Sequence, residues 1–327
     1  MPRIPTNVIT GFLGVGKTTA ILDLLASNPH ERWAVLVNEY GEVSIDQAIL
    51  AGGNSGENVT VREVAGGCVC CATAPYLPVA LHLLLTEAKP TRLIIETTGL
   101  GHPGRLLDTL RANYQDRLDV RATLTLVAPD DVTNEFVHTN PIFREQVDIA
   151  DVIVLNKLDA AKPGDLEAYQ RWANDLFPPK LLIAATAQGR LNPVWLDLGG
   201  TRTISLSQDH PTVESGPILE LIAPKPGHPQ RHESPGVACG WRFHADDIFD
   251  EGKLLAYLGN LPGTTRLKGV FRVEDDRIVI NRSGGHVTVT PTHYRHDSRV
   301  EIFSDSLNWN EVEAGLRQCI ALLPATV

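Results

Sequence analysis

Short apolar runs punctuate the first ~200 positions: NVIT (7–10), WAVLVNE (33–39), RLIIE (92–96), ATLTLVA (122–128), DVIVLN (151–156) and LLIAAT (181–186). Near-continuous runs of this kind suit strands covered on both faces, as in a parallel sheet. Segments 17–27, 103–114 and 164–176 between them read as helices. This alternation predicts an α/β domain over residues 1–200 with a mainly parallel, doubly wound sheet.

The rhythm then breaks. Residues 201–236 are rich in proline, glycine and polar side chains and read as a linker, its His210, His228 and His232 as solvated linker histidines. From 237 to 327 a second pattern starts. ACGWRFH alternates like a strand and 246–260 looks helical. RLKGVFRV, RIVINR, HVTVTP and SRVEIFS follow with turn signals between them, and 309–323 reads as a last helix. That predicts a smaller α+β domain with a mostly antiparallel sheet. Trp241, Phe243, Phe271 and Tyr294 are expected in or around its core.

Composition narrows the partners. The 327 residues carry a formal net charge of −10, which argues against a nucleic-acid backbone as partner. No apolar run approaches the ~20 residues of a membrane helix, so no membrane partner is expected. The N-terminus enters a glycine motif without a signal-peptide core, so the expected location is the reducing cytoplasm. There, clustered cysteines bind metal or do redox chemistry more often than they form disulfides. Cys239 and Cys319 stand apart and are expected as small buried apolar residues.

Gly11-Phe12-Leu13-Gly14-Val15-Gly16-Lys17-Thr18-Thr19 fits the phosphate-loop pattern, following a predicted strand and opening a predicted helix. Glycines at 11, 14 and 16 let successive backbone N–H groups, Val15 and Thr19 included, curl around phosphate oxygens. The helix N-terminus adds unpaired donors and partial positive charge. Lys17 is expected to reach the β- and γ-phosphates, and the Thr18 hydroxyl to ligate Mg²⁺.

Asn156-Lys157-Leu158-Asp159 ends a later hydrophobic strand. A carboxylate there accepts from both the ring N–H and the exocyclic amine of guanine. Adenine has no such donor pair, so Asp159 points to GTP and GDP. Asn156 is expected to tie the base pocket to the phosphate loop, and the Lys157 stem to cover the ring. The strand Leu93-Ile94-Ile95-Glu96 runs into Thr97-Thr98-Gly99. Glu96 is the candidate acid on the magnesium side or for orienting the attacking water, and the Gly99 N–H is a candidate γ-phosphate sensor.

Gly66-Gly67-Cys68-Val69-Cys70-Cys71 holds three of the five cysteines. Neither a strand nor a helix brings all three thiols together. Only a turn does, and Gly66 and Gly67 permit one. The residues alone leave a metal cage, a redox dithiol and inert packing open. Three converging thiolates would fill three corners of a zinc tetrahedron.

GFLGVGKTT, NEYGEV (38–43), GGCVCC, ETTG and NKLD come in the order seen in CobW-type P-loop GTPases, which the chain resembles over nearly its whole length. ETTGLGHP (96–103), ACGW (238–241) and the run over 268–282 are most similar to the zinc-binding YeiR-type subgroup. The resemblance implies a metal-handling chaperone or insertase with glutamate at the strand-end acid, here Glu96. It also implies a switch segment holding Glu39 and Glu42, and zinc at Cys68, Cys70 and Cys71. A fourth ligand is left open among Glu42, His102, water and a client group. Two departures bear on further metal sites: Val37 stands where some relatives have an acid, and the linker lacks a dense histidine run.

The leading expectation is therefore a slow GTPase, with Lys17 and Glu96 as catalytic candidates, that binds Mg²⁺ and Zn²⁺ and delivers zinc to a client metalloprotein. No arginine finger is evident, so low intrinsic turnover is expected. Interleaving of the cysteines between switch and strand-end acid suggests coupling of nucleotide state to metal affinity. The alternatives are a P-loop small-molecule kinase and a non-enzymatic zinc-binding or storage protein. The client is not legible from the sequence, and homo-oligomerisation is left open.

Overall fold

The computed structural model describes residues 2–37, 59–63, 76–198, 225–234, 238–274, 276–283, 286–304 and 306–321. The chain divides into two units, Met1–Leu221 and Ile222–Val327.

The first unit runs β1 (Ile4–Gly11), α1 (Lys17–Ser27), β2 (Trp33–Val37), β3 (Val59–Glu63), α2 (Tyr76–Glu87), β4 (Arg92–Glu96), α3 (Pro103–Asn113) and β5 (Leu118–Val127). Three short helices follow: α4 (Pro129–Thr133), α5 (Glu135–Thr139) and α6 (Pro141–Asp148). The unit continues with β6 (Val152–Leu155), α7 (Asp165–Asn174) and β7 (Leu182–Ala185). Among the described residues its sheet has seven strands in the order β3-β2-β4-β1-β5-β6-β7, and all these pairings are parallel.

Alternate residues on each strand explain the uninterrupted apolar runs. Ile9, Val35, Ile94, Leu124 and Val154 pack against Ile21, Leu24 and Leu25 of α1 on one face. Val8, Leu36, Leu93 and Ile95 pack on the other against Leu81 and Leu84 of α2 and Leu107 and Leu110 of α3. Further along that sheet, Ile153, Leu155 and Ile183 meet Phe143 and Val147 of α6 and Tyr169 and Ala173 of α7. Strands buried on both sides have no polar face to interrupt the run. Because every strand is parallel, the β1–α1, β4–α3 and β6–α7 connections all leave the carboxyl edge, where doubly wound sheets bind ligands.

The second unit runs β8 (Gln230–Ser234), β9 (Ala238–Phe243), α8 (Glu251–Asn260), β10 (Arg266–Val273), β11 (Asp276–Ser283), β12 (His286–Pro291), β13 (Ser298–Phe303) and α9 (Trp309–Gln318). Among the described residues six strands form an antiparallel sheet in the order β12-β11-β10-β13-β9-β8. Trp241, Phe243, Phe271, Cys239 and Cys319 are buried with Leu254 and Leu258 of α8 and Val312 and Leu316 of α9. Tyr294 is also buried. Asp297 is buried between Arg242 and Arg299, with Arg299 Nε 2.6 Å from its Oδ1 and Tyr294 donating to the same oxygen at 2.6 Å.

One expectation is corrected here. Strand β8 lies inside the stretch 201–236 read as a linker, pairing Gln230 with Arg242 and Ser234 with Ala238. Its sequence, QRHES, has no apolar residue to betray a strand, because an edge strand is fixed by backbone pairing rather than by burial.

Candidate functional site

The phosphate loop joins β1 to α1. Gly16, the residue before the helix, takes left-handed φ 93° and ψ 30°. A β-carbon there would sit 2.6 Å from Asn156 Nδ2, so both backbone conformation and space demand glycine. No side chain caps α1, and its first turn carries no acid. The partial positive charge at the start of α1 suits an anion. Lys17 is buried, and its Nζ donates to Gly11 O at 3.1 Å and Phe12 O at 3.2 Å. The ammonium sits in the middle of the loop, where phosphate oxygens would meet it.

Thr18 and Glu96 come together from adjacent elements. Parallel pairing of β1 with β4 sets Ile9 beside Glu96, and Thr18 Oγ donates to Glu96 Oε1 at 2.8 Å. Glu96 is 1% exposed, so a carboxylate is held out of water against a hydroxyl at the mouth of the phosphate loop. The strand junction is clamped by Thr97, whose N–H donates to Ile9 O at 3.1 Å and whose hydroxyl donates to Thr10 Oγ at 2.7 Å.

Asn156 reaches the phosphate loop and the loop after β7. Its side chain is 1% exposed; Nδ2 donates to Val15 O at 2.8 Å and Oδ1 accepts from Gly189 N at 2.9 Å. Lys157 follows with φ 59° and is exposed, and Asp159 lies exposed in a single 3₁₀ turn over Leu158–Ala160. The 186–190 loop after β7 was not legible as part of this site. It is joined to the NKLD segment by Leu158 N donating to Thr186 O at 3.0 Å. Positive φ at Gln188 and Gly189 is the local signature of its tight turn.

The loop after β4 touches the phosphate loop directly. A β-carbon on Gly99 would lie 2.7 Å from Leu13 Cδ2 and 2.9 Å from its backbone N. Helix α6 holds the same loop from the other side. Gln146, fully buried, donates from Nε2 to Gly99 O at 3.2 Å and Gly101 O at 3.4 Å. Its neighbour Glu145, 3% exposed, accepts from Gly104 N through Oε1 at 2.9 Å and meets His102 Nδ1 through Oε2 at 2.5 Å. On the same helix Phe143 packs edge-on to Phe12 of the phosphate loop, ring centroids 6.3 Å apart. One short helix thus grips both the phosphate loop and the loop after the strand-end acid. Glu145 and Gln146 were missed in the sequence because their partners lie more than forty positions away.

Lys17, Thr18, Glu96, Gly99 and Asn156 are therefore gathered at one edge of the sheet. Cys68, Cys70, Cys71, Glu39 and Glu42 lie outside the described residues. Among the described residues no group of three or more His, Cys, Asp or Glu side chains is arranged to hold a metal ion. No helix among the described residues is long and apolar enough to cross a membrane.

Residues 5–183 match the family described as CobW/HypB/UreG, nucleotide-binding domain. Residues 238–320 match the cobalamin synthesis protein cobW C-terminal domain. The chain is 40% identical over 322 residues to a protein named zinc chaperone YeiR from Escherichia coli, covering 95% of this chain and 96% of that one. It is 28% identical over 352 residues to the zinc chaperone CobW of Pseudomonas aeruginosa, covering 86% and 91% of the two chains. A third relative, the zinc chaperone YjiA of Escherichia coli, is 34% identical over 172 residues, 49% of this chain and 51% of its own.

Proposed function

Since this chain belongs to the CobW/HypB/UreG family, we propose that it is a GTP hydrolase whose turnover serves the binding of zinc and its transfer to a client metalloprotein in the cytoplasm. The observation that carries the nucleotide half is the part-buried Thr18–Glu96 hydrogen bond at the N-terminus of α1. A hydroxyl and a carboxylate side by side are the hard oxygen donors that suit Mg²⁺, so Thr18 and Glu96 are the residues that fit it. When bound, Mg²⁺ offsets charge on the β- and γ-phosphate oxygens.

The chain's own groups divide the remaining work. The Lys17 ammonium exchanges its two loop carbonyls for β- and γ-phosphate oxygens. The backbone N–H groups over Gly14–Thr19 receive the phosphates, with the partial positive charge of α1 behind them. Asn156 holds the loop in shape from behind, so little ordering is left for binding to accomplish. Asp159 takes the guanine N–H and amine pair, while Lys157 covers the ring. Glu96 orients the attacking water, and Gly99, packed on Leu13, receives the γ-phosphate signal. The sequence shows no clear arginine finger, so slow basal turnover is expected.

Zinc is the cargo. Cys68, Cys70 and Cys71, with Glu42 as a further candidate, supply thiolate and carboxylate ligands suited to it. The names of the three relatives, each called a zinc chaperone, support this assignment. The test is phosphate release from GTP with Mg²⁺, with and without one equivalent of Zn²⁺, in the parent and in a Cys68→Ser/Cys70→Ser/Cys71→Ser variant. Zinc should change the parent's turnover severalfold and leave the variant's unchanged. Equal rates in all four reactions would overturn the metal half of the proposal. No phosphate release at all would overturn the whole.

A further inference from the structure

Resting on the hydrolase reading above, we infer that Gln146 is a positioning residue for GTP hydrolysis: its carboxamide sets the place of the loop that leads from Glu96 to α3. An amide nitrogen carries two hydrogens. Both are directed at that loop, with Nε2 3.2 Å from Gly99 O and 3.4 Å from Gly101 O. Carbonyls only accept, so it is the nitrogen end of the amide that faces them. The side chain is fully buried, and its Oε1 has no hydrogen-bond partner among the described residues. A buried acceptor left unpaired is a cost that a methionine or leucine in the same space would not carry. The amide is there for its two donors.

Gln146 is itself held from behind. Its backbone carbonyl accepts from Thr125 Oγ at 2.7 Å. Thr125 lies beside Thr10 in the parallel pairing of β1 with β5. The Thr97 hydroxyl in turn donates to Thr10 Oγ at 2.7 Å. Thr10, Thr125 and Gln146 are 0% exposed and Thr97 is 1% exposed, so none of these groups is reached by bulk water. A polar seam therefore runs from the end of β4 across β1 and β5 to α6, and returns through the amide to Gly99. It crosses the sheet face that is otherwise lined by Val8, Leu93, Ile95 and Ile153. A paired polar network in such a setting fixes one arrangement of the backbone around it. What the seam encloses is the segment Thr97–Gly99, which starts beside Glu96 and ends against Leu13 of the phosphate loop.

That segment serves the chemical step more than it serves binding. In hydrolysis a water oxygen bonds the γ-phosphorus as the bond from that phosphorus to the β–γ bridging oxygen breaks. A water proton passes to the departing phosphate, leaving GDP and inorganic phosphate. Glu96 and Gly99 act at the γ end, which GDP lacks. Misplacing reacting groups by about 1 Å costs on the order of a hundredfold in rate. The backbone donors of α1 that receive the β-phosphate are not touched by Gln146.

The test is steady-state phosphate release from GTP with Mg²⁺ on the full chain, beside GDP titration and urea unfolding. Gln146→Met keeps length and bulk and removes both donors. Its kcat should fall roughly 10–100-fold, while KM for GTP stays within about threefold of the parent. GDP affinity and the urea midpoint should match the parent. Thr125→Val keeps the shape of the side chain and removes the bond that holds α6, so kcat should fall in the same direction by less. A parental kcat in Gln146→Met would overturn the inference. Matching losses of GTP and GDP affinity with kcat unchanged would also overturn it, because they would make Gln146 a purely structural residue. The two levels separate in the parent: absence of phosphate release there sinks the hydrolase reading and this inference together, whereas an active parent with an equally active Gln146→Met sinks only the role of Gln146.

Discussion

Asn156→Ala tests how the nucleotide site is preorganised. The side chain is 1% exposed and spans two loops, donating to Val15 O at 2.8 Å and accepting from Gly189 N at 2.9 Å. Truncation leaves both backbone groups without those partners. A buried polar group stripped of its partner costs roughly 1–3 kcal/mol, and water entering the gap offsets part of that, so the pair is worth about 2–4 kcal/mol. Both bonds join parts of the protein itself, so the loss divides between the stability of the first unit and the energy needed to shape the loop around phosphate. Expressed wholly in binding, it is a drop in affinity of about 30- to 1000-fold. Titration with a fluorescent GDP analogue gives one part, and urea unfolding of the nucleotide-free chain gives the other. The sum should reach the stated range. A variant whose unfolding and GDP affinity both stay within about 0.5 kcal/mol of the parent would refute the idea that Asn156 braces the phosphate loop.

Three further outcomes follow from the same geometry. Asp159→Asn should cost GTP roughly a hundredfold in affinity by removing the acceptor for two guanine donors. It should favour a xanthine nucleotide, whose 2-oxo group accepts from the new amide. Gly99→Ala places a β-carbon 2.7–2.9 Å from Leu13, so the loop after β4 must move. GTP turnover should fall at least tenfold while GDP affinity holds, as read by phosphate release and nucleotide titration side by side. In the second unit, burial pushes the Asp297 carboxyl up, but the charges of Arg299 and Arg242 and the hydrogen bonds from Arg299 and Tyr294 pull it down to about 2. A lowered native pKa stabilises above the unfolded value near 3.9 and is lost as pH falls from about 4 to about 2. That is worth roughly 2 kcal/mol, and Asp297→Asn should abolish that portion of the acid dependence in urea melts.

The sequence made some parts of this molecule legible and hid others for physical reasons. Strands β1, β2, β4, β5, β6 and β7 announced themselves because both faces are largely buried and apolar residues dominate each run. Helices α1, α3 and α7 showed because one face packs on the sheet and the other is wet. Helix α2, YLPVALHLLLTE, carries apolar Pro78 and Val79 on its exposed face, which blurs the period, and it went unread. Short helices α4 to α6 hold too few turns to show a period, although Asn140 and Pro141 mark the start of α6. Strand β8 is polar and depends on β9 for its existence.

Within the site, the glycine loop and NKLD were readable because phosphate and guanine impose fixed residue types at fixed spacing. The Asn156 tie to the phosphate loop followed from that chemistry and is present in the structure. The grip of Glu145 on His102 and of Gln146 on Gly99 was not readable. It joins residues from separate elements, and only the packing of α6 beside α3 brings them together.

We propose that guanine-nucleotide state and zinc affinity are coupled in this chain. The most direct measurement of that coupling is the zinc dissociation constant of the full chain loaded first with GDP and then with a non-hydrolysable GTP analogue, Mg²⁺ being present in both. The two values should differ by at least fivefold, with a matching difference in nucleotide affinity when the zinc is varied instead. Equal zinc affinities in the two states would contradict it.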